Sequence, residues 1–185
     1  MPAIAKTSDI DVISAARRII AENGIDGLSM QGIGDAVGIK APSLYKRFSD
    51  RSAIIRGVQL TEFAEIGNTI EESVADLSPA DAIRKIAEIQ WSLSQERPKI
   101  YAILFSVGTI TNTEDIAIRT QALTPLFVAC RALVGPGTGL AAARTLASYI
   151  HGFISMQMSG AFDQTPGVEG SYYFGLNAII KGMVS

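Results

Sequence analysis

The chain contains one cysteine, Cys130, and one histidine, His151. A lone thiol closes no internal disulfide, and the two residues fall short of the set of Cys and His ligands that structural zinc needs. Neither a metal nor a cofactor is expected, with a metal site built from carboxylates alone as the alternative left open. A strongly basic balance is missing too: the net charge is −2, so nucleic-acid binding through overall charge is excluded. The longest apolar run, around residues 100–107, is too short to span a bilayer. Met1 to Asp9 lack the basic start and apolar centre of a secretory signal. These absences lead us to expect a cytoplasmic protein without membrane contact. Alternating β-branched runs are scarce as well, which removes the main sequence signal for sheet.

What remains is an ordinary globular composition, 48% hydrophobic and 18% charged in 185 residues, enough for one large domain or two smaller ones. Apolar residues recur at spacings of three and four almost throughout, which predicts an all-α fold. The first helix starts after Ser8, with Asp9 and Asp11 in its first turn, turns Val12, Ala16, Ile19 and Ile20 inward, and stops at Gly24. Ser29 caps a second helix in which Met30, Ile33, Gly34 and Val37 share one face, and Gly38 closes it with a left-handed residue. Pro42 sits in the first turn of a third short helix running through Phe48, with Leu44 and Phe48 as its inward pair. A long helix follows from Arg51 to Asp76, with Phe63, Ile66, Ile70, Val74 and Leu77 in register. Breaks at Pro79, Arg97-Pro98, residues 111–113, residues 135–139 and residues 163–167 divide the rest into about five helices.

The charge is unevenly spread. Residues 1–57 hold eight Lys or Arg against six Asp or Glu, while residues 58–185 hold eight against twelve. In the stretch 38–57, Lys40, Lys46, Arg47, Arg51 and Arg56 face only Asp50. Two short helices across a tight turn, the second anchored by Leu44 and Phe48 and bearing cations outward, fit a helix-turn-helix. In that reading Lys40, Lys46 and Arg51 neutralise phosphates and the Tyr45 hydroxyl bonds a phosphate oxygen. Helix-start amides at Ser29 and Arg51 add donors, while Ala41, Pro42 and Ser43 allow close approach to base edges. The plainer alternative is a solvated cationic face on a helix hairpin.

The stretch Val12 to Gly24, with Ala15-Ala16 and a closing glycine, resembles the first helix of the TetR family of regulators. Leu28 to Ile54 is similar to that family's helix-turn-helix signature at Ile33, Gly34, Gly38, Ile39, Leu44, Tyr45, Phe48, Arg51 and Ile54. Departures are Lys40 in place of a capping Ser or Thr, Gly34 in place of Ala, and Arg51 in place of Lys. The resemblance implies an N-terminal three-helix DNA-binding module over 1–57, a long linking helix, and a helical ligand-binding and dimerisation domain over 58–185. Glu96 to Phe105 and His151 to Met156 resemble a subgroup with a His-Gly motif in its ligand domain. The last two helices, about 140–162 and 168–184, are then expected to form a homodimer interface.

The function expected from this reading is a repressor released from a palindromic operator in double-stranded DNA by a small hydrophobic effector. Effector binding would change the angle between two DNA-binding modules. Trp91, Tyr101, Phe105, Phe127, His151 and Met156 are the expected ligand-site residues, although aromatic and Met side chains at helical spacing also build ordinary core. Two rival classes are an enzyme using His151 as base and an interaction protein that does not bind DNA.

Overall fold

Ser8 starts the first helix, α1 (Asp9–Asn23), with a reciprocal capping box: its hydroxyl accepts from the Asp11 amide at 3.1 Å while its own amide donates to the Asp11 carboxylate at 2.7 Å. Donation from the Ser8 amide and from the Ser8 hydroxyl, each 2.7 Å from the same oxygen, holds the Asp11 carboxyl below the usual carboxylate range. Val12, Ala16 and Ile20 are fully buried and Ile19 half-buried, and Gly24 ends the helix at φ +78°. The computed structural model describes residues 7–105, 112–162 and 166–184. Helix α2 (Met30–Val37) leads through a tight turn to α3 (Ala41–Tyr45), which is shorter than the periodicity predicts, because the chain turns at Lys46 and Arg47. Next come α4 (Arg51–Val74), α5 (Pro79–Glu96), α6 (Pro98–Leu104), α7 (Thr113–Val134), α8 (Gly139–Met158) and α9 (Val168–Met183). The breaks expected at 111–113 and 163–167 fall partly outside the described residues.

The chain divides into two compact units. The first comprises residues 1–64 with 97–119, the second residues 65–96 with 120–185. This division differs from a single cut after residue 57, because α6 returns to the first unit. Ile100 and Ile103, 0% and 2% exposed, lie in one core with Val12, Ile20, Ile33, Leu44 and Ile54. Three residues of α4 at spacing three hold the returning segment. Arg56 pairs with Asp115 at 3.3 Å, buried Gln59 donates to the Ile103 carbonyl, and buried Glu62 accepts from Arg97. Glu62 also accepts from Arg17 of α1 at 2.6 Å, and Lys99 donates to the Glu22 carbonyl at the end of α1.

In the second unit, Tyr172 of α9 stacks on Trp91 of α5 with ring centroids 4.8 Å apart and donates its hydroxyl to the Ala87 carbonyl at 3.0 Å. Tyr149 of α8 donates to the Tyr172 carbonyl at 2.8 Å. A Cβ on Gly175 would lie 2.2 Å from that Tyr149 hydroxyl oxygen, so the close approach of α8 and α9 needs glycine there. Among the described residues one stretch, Asp115–Val134, has the length and mean hydropathy, 1.2, of a bilayer-spanning helix. It is longer than the run around residues 100–107 that the sequence suggests as the longest apolar stretch. Arg119, Arg131 and interspersed Thr residues interrupt the apolar run and lower its average, which still reaches 1.2, and a helix of a packed bundle passes the same test.

Candidate nucleic-acid interface

The turn between α2 and α3 is set by backbone geometry. Ser29 caps α2 by accepting from the Gly32 amide at 3.0 Å. Gly38 adopts φ +72° and the Ile39 amide donates back to the Gly34 carbonyl at 2.9 Å, which closes the helix end. A Cβ on Gly34 would lie 2.5 Å from the Ile39 carbonyl oxygen. The close approach of the Ile39 carbonyl to α2 therefore requires glycine at this position. Ile33 and Leu44 are fully buried beneath it, and Phe48 packs at the edge of the same core.

With Leu44 turned inward, α3 presents Pro42, Ser43, Tyr45 and Lys46 to solvent, and Tyr45 is 56% exposed. Lys40, at the leading end, is exposed in an extended conformation and caps α3 without a side-chain bond. Ala41 is half-buried and Ser29 exposed. The structure thus brings Lys40, Pro42, Ser43, Tyr45 and Lys46 together on one short element.

Arg51 is placed differently from its expected role. Its Nε donates to the Leu28 carbonyl at 2.9 Å and its Nη2 to the Ile25 carbonyl, so the half-buried guanidinium holds the strand of chain entering α2 instead of pointing outward as a phosphate contact. Arg47 donates to the Thr7 carbonyl at 2.9 Å and pairs with Asp9, tying the end of α3 to the start of α1. With Arg56 paired to Asp115, Lys40 and Lys46 are the cations of the 38–57 stretch whose side chains have neither an ion pair nor a hydrogen bond among the described residues. Counting charges in sequence overstated the patch. It also missed Gln31 and Asp35, exposed on α2 and joined by a 2.8 Å hydrogen bond; their i, i+4 spacing outside the Ile33 face was the available signal.

The expected ligand-site residues are divided between the units. Tyr101 and Phe105 belong to the first, where their rings lie 5.0 Å apart and burial pushes the Tyr101 hydroxyl well up. Trp91, Phe127, His151 and Met156 belong to the second. Trp91 is buried among Tyr172 and Phe153, with Tyr149 and Phe162 extending the cluster. Phe127 is half-buried, whereas Met156 is 51% exposed and faces outward. His151 is half-buried, with its ring nitrogens 3.3 and 3.5 Å from the Ser155 hydroxyl, and burial lowers its pKa. Burial pushes the Cys130 thiol up to about 11, so it stays protonated at neutral pH.

Residues 12–58 match the family model described as bacterial regulatory proteins, tetR family, and residues 74–179 match that of the tetracyclin repressor-like C-terminal domain. The chain is 21% identical over 173 residues to YobS of Bacillus subtilis (strain 168), described as an uncharacterized HTH-type transcriptional regulator; the match covers 94% of this chain and 91% of that protein. Among solved structures, a protein of unknown function from Rhodococcus sp. RHA1 superposes with a TM-score of 0.81 at 16% identity, covering 100% of both chains. A TetR variant from Acinetobacter baumannii AYE in complex with minocycline gives a TM-score of 0.70 at 21% identity, covering 96% of each chain.

Proposed function

Because the chain belongs to the TetR family of transcription regulators, we propose that it is a repressor that grips a palindromic operator as a homodimer and lets go when a small hydrophobic effector binds. The outward face of α3 carries this reading: Lys40, Ser43, Tyr45 and Lys46 stand exposed on a helix that buried Leu44 holds against Ile33. Such a helix fits the major groove, its cations and hydroxyls meeting phosphates and its small leading residues meeting base edges.

The dimer reading rests on α8 and α9. Phe174 is 78% exposed, and Leu140 and Met156 are each 51% exposed. A Cβ on Gly152, Gly170 or Gly182 would meet only open space. Apolar side chains beside uncrowded small ones suit a second pair of helices. A two-fold axis through them requires an inverted repeat in the DNA. For the effector, the aromatic cluster around Trp91 supplies apolar surface in the second unit and half-buried His151 of α8 a polar group, a combination that suits a hydrophobic molecule carrying one hydrogen-bonding group. The minocycline complex of the Acinetobacter protein supports a small-molecule ligand in this fold.

Selection from a random duplex pool, followed by footprinting and light scattering, tests the reading. A palindromic footprint, a dimer at micromolar concentration and steep loss of binding with salt are expected. A monomer with no selected sequence would overturn it. A thermal-shift screen with hydrophobic compounds then identifies effectors, and His151→Phe should blunt their release of DNA while leaving operator affinity unchanged.

A further inference from the structure

We propose that Gln31 and Asp35 of α2 form a second base-reading pair beside the recognition helix. The inference rests on the DNA-binding reading above. Both residues are exposed, and the Gln31 amide nitrogen donates to Asp35 Oδ1 at 2.8 Å. Together with Lys40, Ala41 and Pro42 they line one open groove of about 580 Å³, so the pair shares a wall with the leading end of α3. Ile33 and Gly34, between them in sequence, are buried and fix which way α2 faces.

A carboxylate in a groove turned toward DNA is repelled by phosphate, and the group it suits is an amino donor on a base edge: cytosine N4 or adenine N6. The Gln31 amide, held to Asp35 through one N–H, keeps a second N–H and its carbonyl oxygen. That donor and acceptor match the N7 and N6 edge of adenine. The internal hydrogen bond also restricts the Gln31 rotamers before DNA arrives, which lowers the ordering cost of a contact. Asp35 further selects by exclusion, because guanine presents two acceptors, O6 and N7, in the major groove. The pair therefore favours adenine or cytosine and disfavours guanine at one position of each half-site.

The test uses the full chain and duplexes selected by the parent protein, each base then varied singly, with binding measured at several salt concentrations for the parent, Gln31→Ala, Asp35→Asn and Lys46→Ala. Gln31→Ala is expected to keep the parent's salt slope, and Asp35→Asn, which removes a carboxylate that phosphates repel, to bind a nonspecific duplex at least as tightly as the parent. Each should lose roughly tenfold discrimination at one base pair per half-site, and Asp35→Asn, which gains an amide donor, should admit guanine there. Base preferences identical to the parent's in both variants would remove the pair from the interface. A loss equal across all duplexes with a shallower slope would equally overturn the proposal, since it marks a phosphate contact like that expected of Lys46. If the parent itself selects no duplex, it is the DNA-binding reading that fails.

Discussion

Gly34 and Lys46 show how differently two residues of one small motif are constrained. At Gly34 any side chain meets the Ile39 carbonyl oxygen, a backbone atom that cannot swing away. Gly34→Ala should therefore destabilise the first unit by about 1–3 kcal/mol, the usual cost of overpacking, read as a lower urea midpoint with unchanged slope. A variant as stable as the parent would mean that the turn relaxes freely. Lys46 has no such packing duty. Lys46→Ala should leave the urea midpoint within experimental error, weaken binding to all duplexes, and lower the slope of log affinity against log salt by about one unit, the signature of one lost phosphate contact. An unchanged slope would take Lys46 out of the contact set.

Across α4, Arg56, Gln59 and Glu62 meet Asp115, the Ile103 carbonyl and Arg97 in antiparallel order. Glu62 matters most, because its buried carboxylate, 3% exposed, answers two guanidinium groups from α1 and α6. Glu62→Ala removes the shared carboxylate from both guanidinium groups and should cost about 2–4 kcal/mol, somewhat below a fully buried pair since Arg17 and Arg97 are partly hydrated. Arg17→Ala should cost less, because Arg97 stays on the carboxylate. Equal costs in a double-mutant cycle would show that Arg97 contributes nothing. The sequence did not reveal this array: charges on a helix read as solvated unless a distant partner is known. Local signals were legible where a side chain bonds its own neighbourhood, as at Ser8, Ser29, Gly24 and Gly38, or where proline interrupts a helix, as at Pro79 and Pro98. Within the candidate interface, the inward and outward edges of α3 followed from the Leu44 spacing. The fate of Arg51 did not, because its carbonyl acceptors at Ile25 and Leu28 lie more than twenty residues upstream.

At the scale of the whole molecule, the unit that carries the helix-turn-helix is discontinuous in sequence. Ile100, fully buried in its core, should behave as a residue of that unit despite its position midway along the chain. Ile100→Ala is expected to cost about 2–5 kcal/mol, to speed amide exchange in α1 and α2, and to weaken DNA binding. Loss of protection confined to α6 would contradict this. The same discontinuity sets a clock on synthesis. A chain that emerges at about 5–20 residues per second displays α1, α2 and α3 for several seconds before Ile100, Ile103 and Asp115 leave the ribosome to close their core. During that interval Ile20, Ile33 and Leu44 share an unfinished apolar surface that a self-contained N-terminal module would already have closed.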